Sequence, residues 1–399
     1  MHFRCLIACA MATVALLLPW AQAHAEEKTY FVIPAVATAK NDGTDVGVIV
    51  PYIYADDEGR VTKIIAPMYI HNEFLGSRGT INLFWYPARG DQYKLIASYT
   101  ERIERKFLFD FQRLFLGGGK YSLEGNAGFF KNATARFFGI GPATAEARET
   151  SYTDRELLGS ITGGMYVGPG RRVTWTERLR NVEIQPSGVP DIPFTQLEFP
   201  AIKGMGGGTV WGHRLGFLDD TRDDALTPTI GSYFKMYAEL AQSLSADSDT
   251  VFSHYGAEYK TLIPNETKRY TFVFRARVNA TVGGEEIPFF ERSSLGGQNT
   301  LRGFGVGRFV DNHSIVLNVE ERIQLFHLKV FGTIAELEMA PFLDIGKVTS
   351  TFRYRAFSQY QANPGIGFRG IARPNVVGRV DVATGNEGQA VFAGLDFPF

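Results

Sequence analysis

From about Tyr30 onward the chain is built of short segments in which apolar and polar residues alternate. Phe234, Met236, Ala238 and Leu240 share one face, and Tyr233, Lys235, Tyr237 and Glu239 share the other. Tyr270, Phe272, Phe274, Ala276 and Val278 oppose Thr271, Arg275, Arg277 and Asn279. Ile315, Leu317, Val319, Ile323 and Leu325 oppose Asn318, Glu320, Arg322 and Gln324. A period of two places successive side chains on opposite faces of a strand. Turn residues break the runs, as at Asn41-Asp42-Gly43, a hairpin signal, and Asp56-Asp57-Glu58-Gly59. A soluble sandwich alternates too. Here, however, Arg, Lys and Glu crowd the polar face in strand after strand, the pattern of a water-filled lumen. Glu321 departs from it on the apolar side, a position that suits a membrane rim. The expected fold is all-β.

After the first 25 residues no run of 18 or more apolar residues occurs, so a membrane crossing would have to be made by strands. A mean hydropathy of −0.09 is compatible with this, because lipid-facing and lumen-facing residues cancel in the average. Residues 1–25 read as a secretory signal. Met1–Arg4 is a weakly basic start, Leu6–Leu18 is apolar, and small residues allow cleavage after Ala23 or Ala25. Both cysteines, Cys5 and Cys9, lie inside that segment, which suits export to an oxidising compartment. The expected organisation is a signal at 1–25 and one barrel at 26–399, with no periplasmic domain between them. At this length roughly 14–18 strands fit.

The last segment sets Val391, Ala393, Leu395, Phe397 and Phe399 on one face and ends on an aromatic residue. Val391, Leu395, Phe397 and Phe399 are therefore expected in a strand that closes the barrel. The 17 Tyr and 32 Phe suit aromatic girdles at the two membrane interfaces. Residues 131–152 and the Pro- and Gly-rich 185–204 are expected as long extracellular loops.

Leu295-Gly296-Gly297-Gln298-Asn299-Thr300-Leu301-Arg302-Gly303-Phe304 resembles the signature loop of the BamA/TamA-like surface-antigen superfamily. Asn318-Val319-Glu320-Glu321-Arg322 and Pro341-Phe342-Leu343-Asp344-Ile345-Gly346-Lys347-Val348 resemble strands that follow it in that family. Asn363-Pro364-Gly365-Ile366-Gly367-Phe368-Arg369 and the final Phe-Pro-Phe resemble its last two. The resemblance is strong over about 290–399 and looser upstream. It implies a transmembrane antiparallel β-barrel of about 16 strands whose sixth extracellular loop folds into the lumen. The tip Arg302, with Gly303 and Phe304, would then meet Glu320 and Asp344 on the wall, and Gly296 and Gly297 would allow the reversal. A guanidinium in a partly desolvated lumen needs ionised partners, and the alternation independently puts Glu320 on the luminal face.

Family members that insert or translocate proteins carry POTRA domains, and none is expected here. The leading expectation is a pore or a protein/lipid translocation-insertion element, with a weak seam between first and last strands near Phe31 and Phe399. The alternatives are a diffusion porin and a structural or adhesive surface barrel. Partners implied are outer-membrane lipid, the machinery that inserts barrels, and either further copies of the chain or a separate periplasmic protein. A formal net charge of −1 argues against nucleic acid. No cofactor is expected, the histidines lack metal-ligand spacing, and no enzyme is expected. Asn312-His313-Ser314 holds the residue types of a hydrolase, but on one strand His313 points away from its neighbours. Asp223-Asp224 reads as a loop cluster, open to divalent cations or lipopolysaccharide.

Overall fold

A computed structural model describes residues 27–30, 32–39, 43–58, 60–189, 191–245, 248–330, 333–352, 358–372, 376–394 and 397–399. The signal segment, Phe31 and Leu395 lie outside these.

The alternating segments become strands β1 (Glu27–Tyr30), β2 (Ile33–Ala39), β3 (Gly43–Ile49), β4 (Tyr52–Ala55), β5 (Val61–Asn72), β6 (Gly76–Ala88), β7 (Asp91–Thr100) and β8 (Arg105–Phe115). They continue as β9 (Tyr121–Phe137), β10 (Thr150–Gly168), β11 (Arg171–Pro186), β12 (Gly208–Asp220), β13 (Gly231–Ser245), β14 (Ser248–Pro264) and β15 (Tyr270–Val282). After a long excursion holding the short β16 (Ser293–Leu295) and β17 (Phe309–Asp311), the sheet resumes. Its last members are β18 (His313–Val330), β19 (Thr333–Thr349), β20 (Gln361–Ala372), β21 (Val376–Gly385) and β22 (Gly388–Gly394). Twenty segments form one antiparallel sheet, and β16 with β17 form a separate two-stranded ladder.

The first hairpin changes the strand count. Glu27 faces Ala55, Tyr30 faces Tyr52, Ile33 faces Ile49 and Ala39 faces Gly43, all in one unbroken register. Thus β1 and β2 share one strand position and β3 and β4 share the next, which also pairs with β5 throughout. The twenty segments therefore occupy eighteen strand positions, against the sixteen implied by the resemblance. At the far end β22 pairs with β21, and β2 lies alongside β22.

Outward faces carry an apolar belt that runs from strand to strand. Ile161, Met165, Trp175, Leu179, Leu215, Met236, Leu240, Tyr255, Ile263 and Phe272 are all exposed. Exposed apolar area this continuous on a water-soluble protein would drive aggregation; lipid is its natural solvent. The interior is the reverse. Among the largest fully buried side chains are Arg302, Arg369, Glu239 and Glu320. Glu321 faces outward opposite Phe272, close to the β14–β15 turn.

Antiparallel order puts 138–149, 191–207, 283–312, 350–352 and 358–360 at one end of the sheet and 89–90, 169–170, 221–230 and 265–269 at the other. The two expected long loops therefore fall at the end that carries the signature loop, but they are shorter than expected. Residues up to Phe137 and from Thr150 belong to β9 and β10. At the opposite end β10 and β11 join through Gly170, whose φ of 70° and closeness to the Asp220 carbonyl leave no room for a side chain. Residues 221–230 also lie at that end. Asp223 accepts hydrogen bonds from Thr229 and Ile230, and Asp224 from Leu226 and Thr227. These carboxylates brace their own loop, and they sit at the end opposite the signature loop.

Candidate functional site

The segment 283–312 turns into the sheet's interior, and its sequence explains how. The β16–β17 ladder closes its neck, with Ser293 facing Asp311 and Leu295 facing Phe309. Gly296 has φ 117°, and a side chain there would collide with the Gly305 carbonyl. Gly297 N–H donates to the Phe304 carbonyl at 2.9 Å, and the Thr300 hydroxyl donates to the Gly296 carbonyl at 2.9 Å. Leu295, Leu301, Phe304 and Phe309 then pack on Val316 and Val348 of the wall, all fully or nearly fully buried. Gly303 passes so close to Asn363 that a Cβ would lie 2.4 Å from its amide nitrogen.

This packing delivers Arg302 to the wall, where it is 1% exposed. Its Nε and Nη2 donate to the two oxygens of Asp344, each at 2.8 Å, a bidentate fork. Its backbone N–H donates to the same carboxylate at 3.1 Å. Nη1 reaches Glu320 at 3.2 Å and Asp381 at 3.5 Å, and the guanidinium lies 3.3 Å over the Phe342 ring. Burial penalises the charge on Arg302, but Asp344, Glu320 and Asp381 outweigh it and raise its pKa above the ordinary value. The guanidinium stays charged because desolvation is answered on every side.

The sequence reading paired Arg302 with Glu320 and Asp344, and the structure brings all three together. It missed the rest of the cluster. Arg369 donates to Glu320 at 2.9 Å, Arg322 donates to Glu320 at 3.0 Å, and Arg379 donates to Asp381 at 2.5 Å. Asn318 ties Asp344 to the Thr300 carbonyl, 2.8 Å to each. Asp381 stood two residues from Arg379 on one face of an alternating strand, which was the available signal. The wall also holds Glu338, buried across the ladder from Arg369, so the carboxylates of Glu320, Glu338, Asp344 and Asp381 face the guanidinium groups of Arg322, Arg369 and Arg379 together with that of Arg302.

A second anchor holds the descending limb. Glu291 takes Arg178 at 2.9 Å, Arg180 at 3.2 Å and His254 at 3.1 Å. Arg178 and Arg214 also hold the buried Glu239, at 2.6 and 2.7 Å. Burial would raise the Glu291 carboxyl. The His254 hydrogen bond and the two guanidinium groups prevail and hold it well below the usual carboxylate range. Arg308 ties the ascending limb to Glu387 at 2.6 Å and to the Thr144 carbonyl at 2.6 Å.

The chain's end departs from expectation. Val391 lies in β22 opposite Val382. Phe397 and Phe399 are not in a barrel-closing strand. The Phe397 ring lies 3.8 Å from the Arg322 guanidinium, and Phe399 lies 5.7 Å from Arg302 and 5.4 Å from Arg275. Pro398 has no N–H to give a ladder, and two aromatic faces find cations inside the lumen.

Asn312, His313 and Ser314 do not converge. Asn312 meets Arg292, His313 stacks on Phe352 and Ser314 meets Asn279. Among the described residues no three His, Cys, Asp or Glu side chains gather as a metal site.

An antiparallel sheet with an apolar belt outside, charges inside and an arginine loop drawn into the interior defines an outer-membrane β-barrel. The description "Omp85 superfamily domain" matches residues 88–371, and the chain belongs to that superfamily. BamA from Haemophilus ducreyi lacking POTRA domains 1–3 superposes with a TM-score of 0.55 at 16% identity, covering 92% of this chain and 75% of that one. CdiB from Acinetobacter baumannii gives 0.50 at 11% identity, with 94% of this chain and 61% of that one covered. This chain thus spans less than two thirds of CdiB. At such identities the likeness concerns the fold. No curated protein sequence matches the chain.

Proposed function

We propose that the protein is a gated passage of the outer membrane, a pore or protein/lipid translocation-insertion element whose lumen is held by the inward loop. In this reading residues 26–399 form the barrel and residues 1–25 are its removed signal. The observation that carries it is the placement of Arg302. A 1%-exposed guanidinium bound by a bidentate carboxylate is a costly feature for a simple channel. It makes sense as a latch with two states. The approach of β2 to β22 favours the seam between first and last strands as the place where the wall opens. Lipid surrounds the belt, and a separate periplasmic partner or further copies of the chain would work with the barrel.

The test is conductance in planar bilayers, wild type beside Arg302→Ala. Small, flickering wild-type currents that become large in the variant support the latch. Large, steady currents in both would make the protein a diffusion porin and overturn it. Silence in both would leave a structural barrel.

A further inference from the structure

We propose that the lumen carries a binding site for a phosphate group on the inner face of β13–β15, formed by Lys235 and Arg277. Lys235 lines and is exposed to a cavity of about 420 Å³ on the side of the lumen away from Arg302. The other cations of that cavity have carboxylate partners. Lys94 meets Asp110 at 3.2 Å, Arg172 meets Glu124, and Arg214 meets Glu239 at 2.7 Å. Lys235 has none described, and the groups facing it are Arg214, Arg172, Glu258 and Glu124.

Across the ladder Lys235 faces Glu258, and Glu258 faces Arg277. Glu258 already holds Arg275 at 2.9 Å and Lys260 at 3.2 Å. One carboxylate therefore stands among four cations. The Arg277 Nε is buried with no hydrogen-bond partner. Buried donors without acceptors are costly, and two neighbouring rungs, Lys235–Glu258–Arg277 and Lys260–Arg275, that share this surplus call for an anion. A phosphate dianion matches a surplus of three better than a single carboxylate does, and it offers enough oxygens for both an ammonium and a guanidinium. The phosphate can arrive free or as a lipid headgroup. The site does not depend on whether the loop latch or the seam opens.

The test uses the folded protein extracted from membranes in detergent, with its folded state checked by heat-dependent gel migration. Inorganic phosphate is titrated calorimetrically at constant ionic strength. Binding to wild type is expected to weaken about ten- to a hundredfold in Lys235→Gln and in Arg277→Gln. It should be kept in Lys235→Arg and in Lys203→Gln, a loop lysine paired with Glu286 at 2.9 Å. A short-chain phosphatidic acid that competes with phosphate would identify a headgroup as the ligand, and its failure to compete would identify the free anion. No phosphate binding by wild type, or equal binding in both glutamine variants, would overturn the proposal.

Discussion

The two carboxylates that meet Arg302 do different work. Asp344 holds Arg302 through a bidentate fork, and its other described side-chain donor is Asn318. Glu320 holds Arg302, Arg322 and Arg369 together. Asp344→Asn should therefore free the loop and leave the wall folded, raising conductance with little change in the temperature at which the folded gel band is lost. Glu320→Gln removes the one carboxylate that the buried guanidinium groups of Arg302, Arg322 and Arg369 share. Breaking buried pairs of this kind costs about 3–5 kcal/mol, so the folded band should be lost at clearly lower temperature. Equal effects of the two substitutions on both readouts would show that the cluster acts as one undivided network. The tip arginine and Asp344 were legible through the family pattern, and Glu320 through that pattern and the two-residue period together. Arg369, Arg379 and Asp381 were not, because charge on a luminal face is common in a barrel and only three-dimensional register shows which charges meet.

At the scale of elements, alternation located the strands well and their ends poorly. The loops expected at 131–152 and 185–204 begin later, because β9 and β11 extend to Phe137 and Pro186. The last strand was over-extended for another reason. Alternation continues on paper to Phe399, but Pro398 cannot donate to a ladder, and the arginines inside were invisible to a one-dimensional pattern. The signature loop itself was read correctly as an inward element, but its second anchor at Glu291 was not. That anchor gives the loop a pH dependence. The Glu291 carboxyl is depressed in the folded state, so its contribution is complete above the ordinary carboxylate pKa and is lost as pH falls below it. Conductance of the wild-type protein should therefore rise as pH is lowered below about 4. Glu291→Gln should show the raised conductance already at neutral pH and a much weaker acid response. A Glu291→Gln variant with the wild-type acid response would assign that response to another group.

For the molecule as a whole, the strand count connects the first hairpin to the interior. Eighteen positions enclose more space than sixteen, since barrel diameter grows roughly in proportion to strand number. The inward loop packs on β18 and β19 and is tied to β11 and β14, so it fills one side of the lumen. The cavity of about 420 Å³ remains on the side of β7–β13. The hairpin of residues 27–55 lies wholly before the matched region 88–371 and pairs with the rest through β5 alone on one side. Its neighbour on the other side is β22. Removing residues 27–55 leaves sixteen positions and allows β5 to meet β22 directly. The shortened protein should still show a heat-sensitive folded band. In the Arg302→Ala background its conductance should fall below that of the full-length variant, because a narrower ring leaves less room beside the loop. Loss of the folded band on removing the hairpin would mean that the eighteen-position ring is the smallest one this sequence can close. The extra hairpin would then be part of the fold's closure, with no separate part in setting the width of the passage.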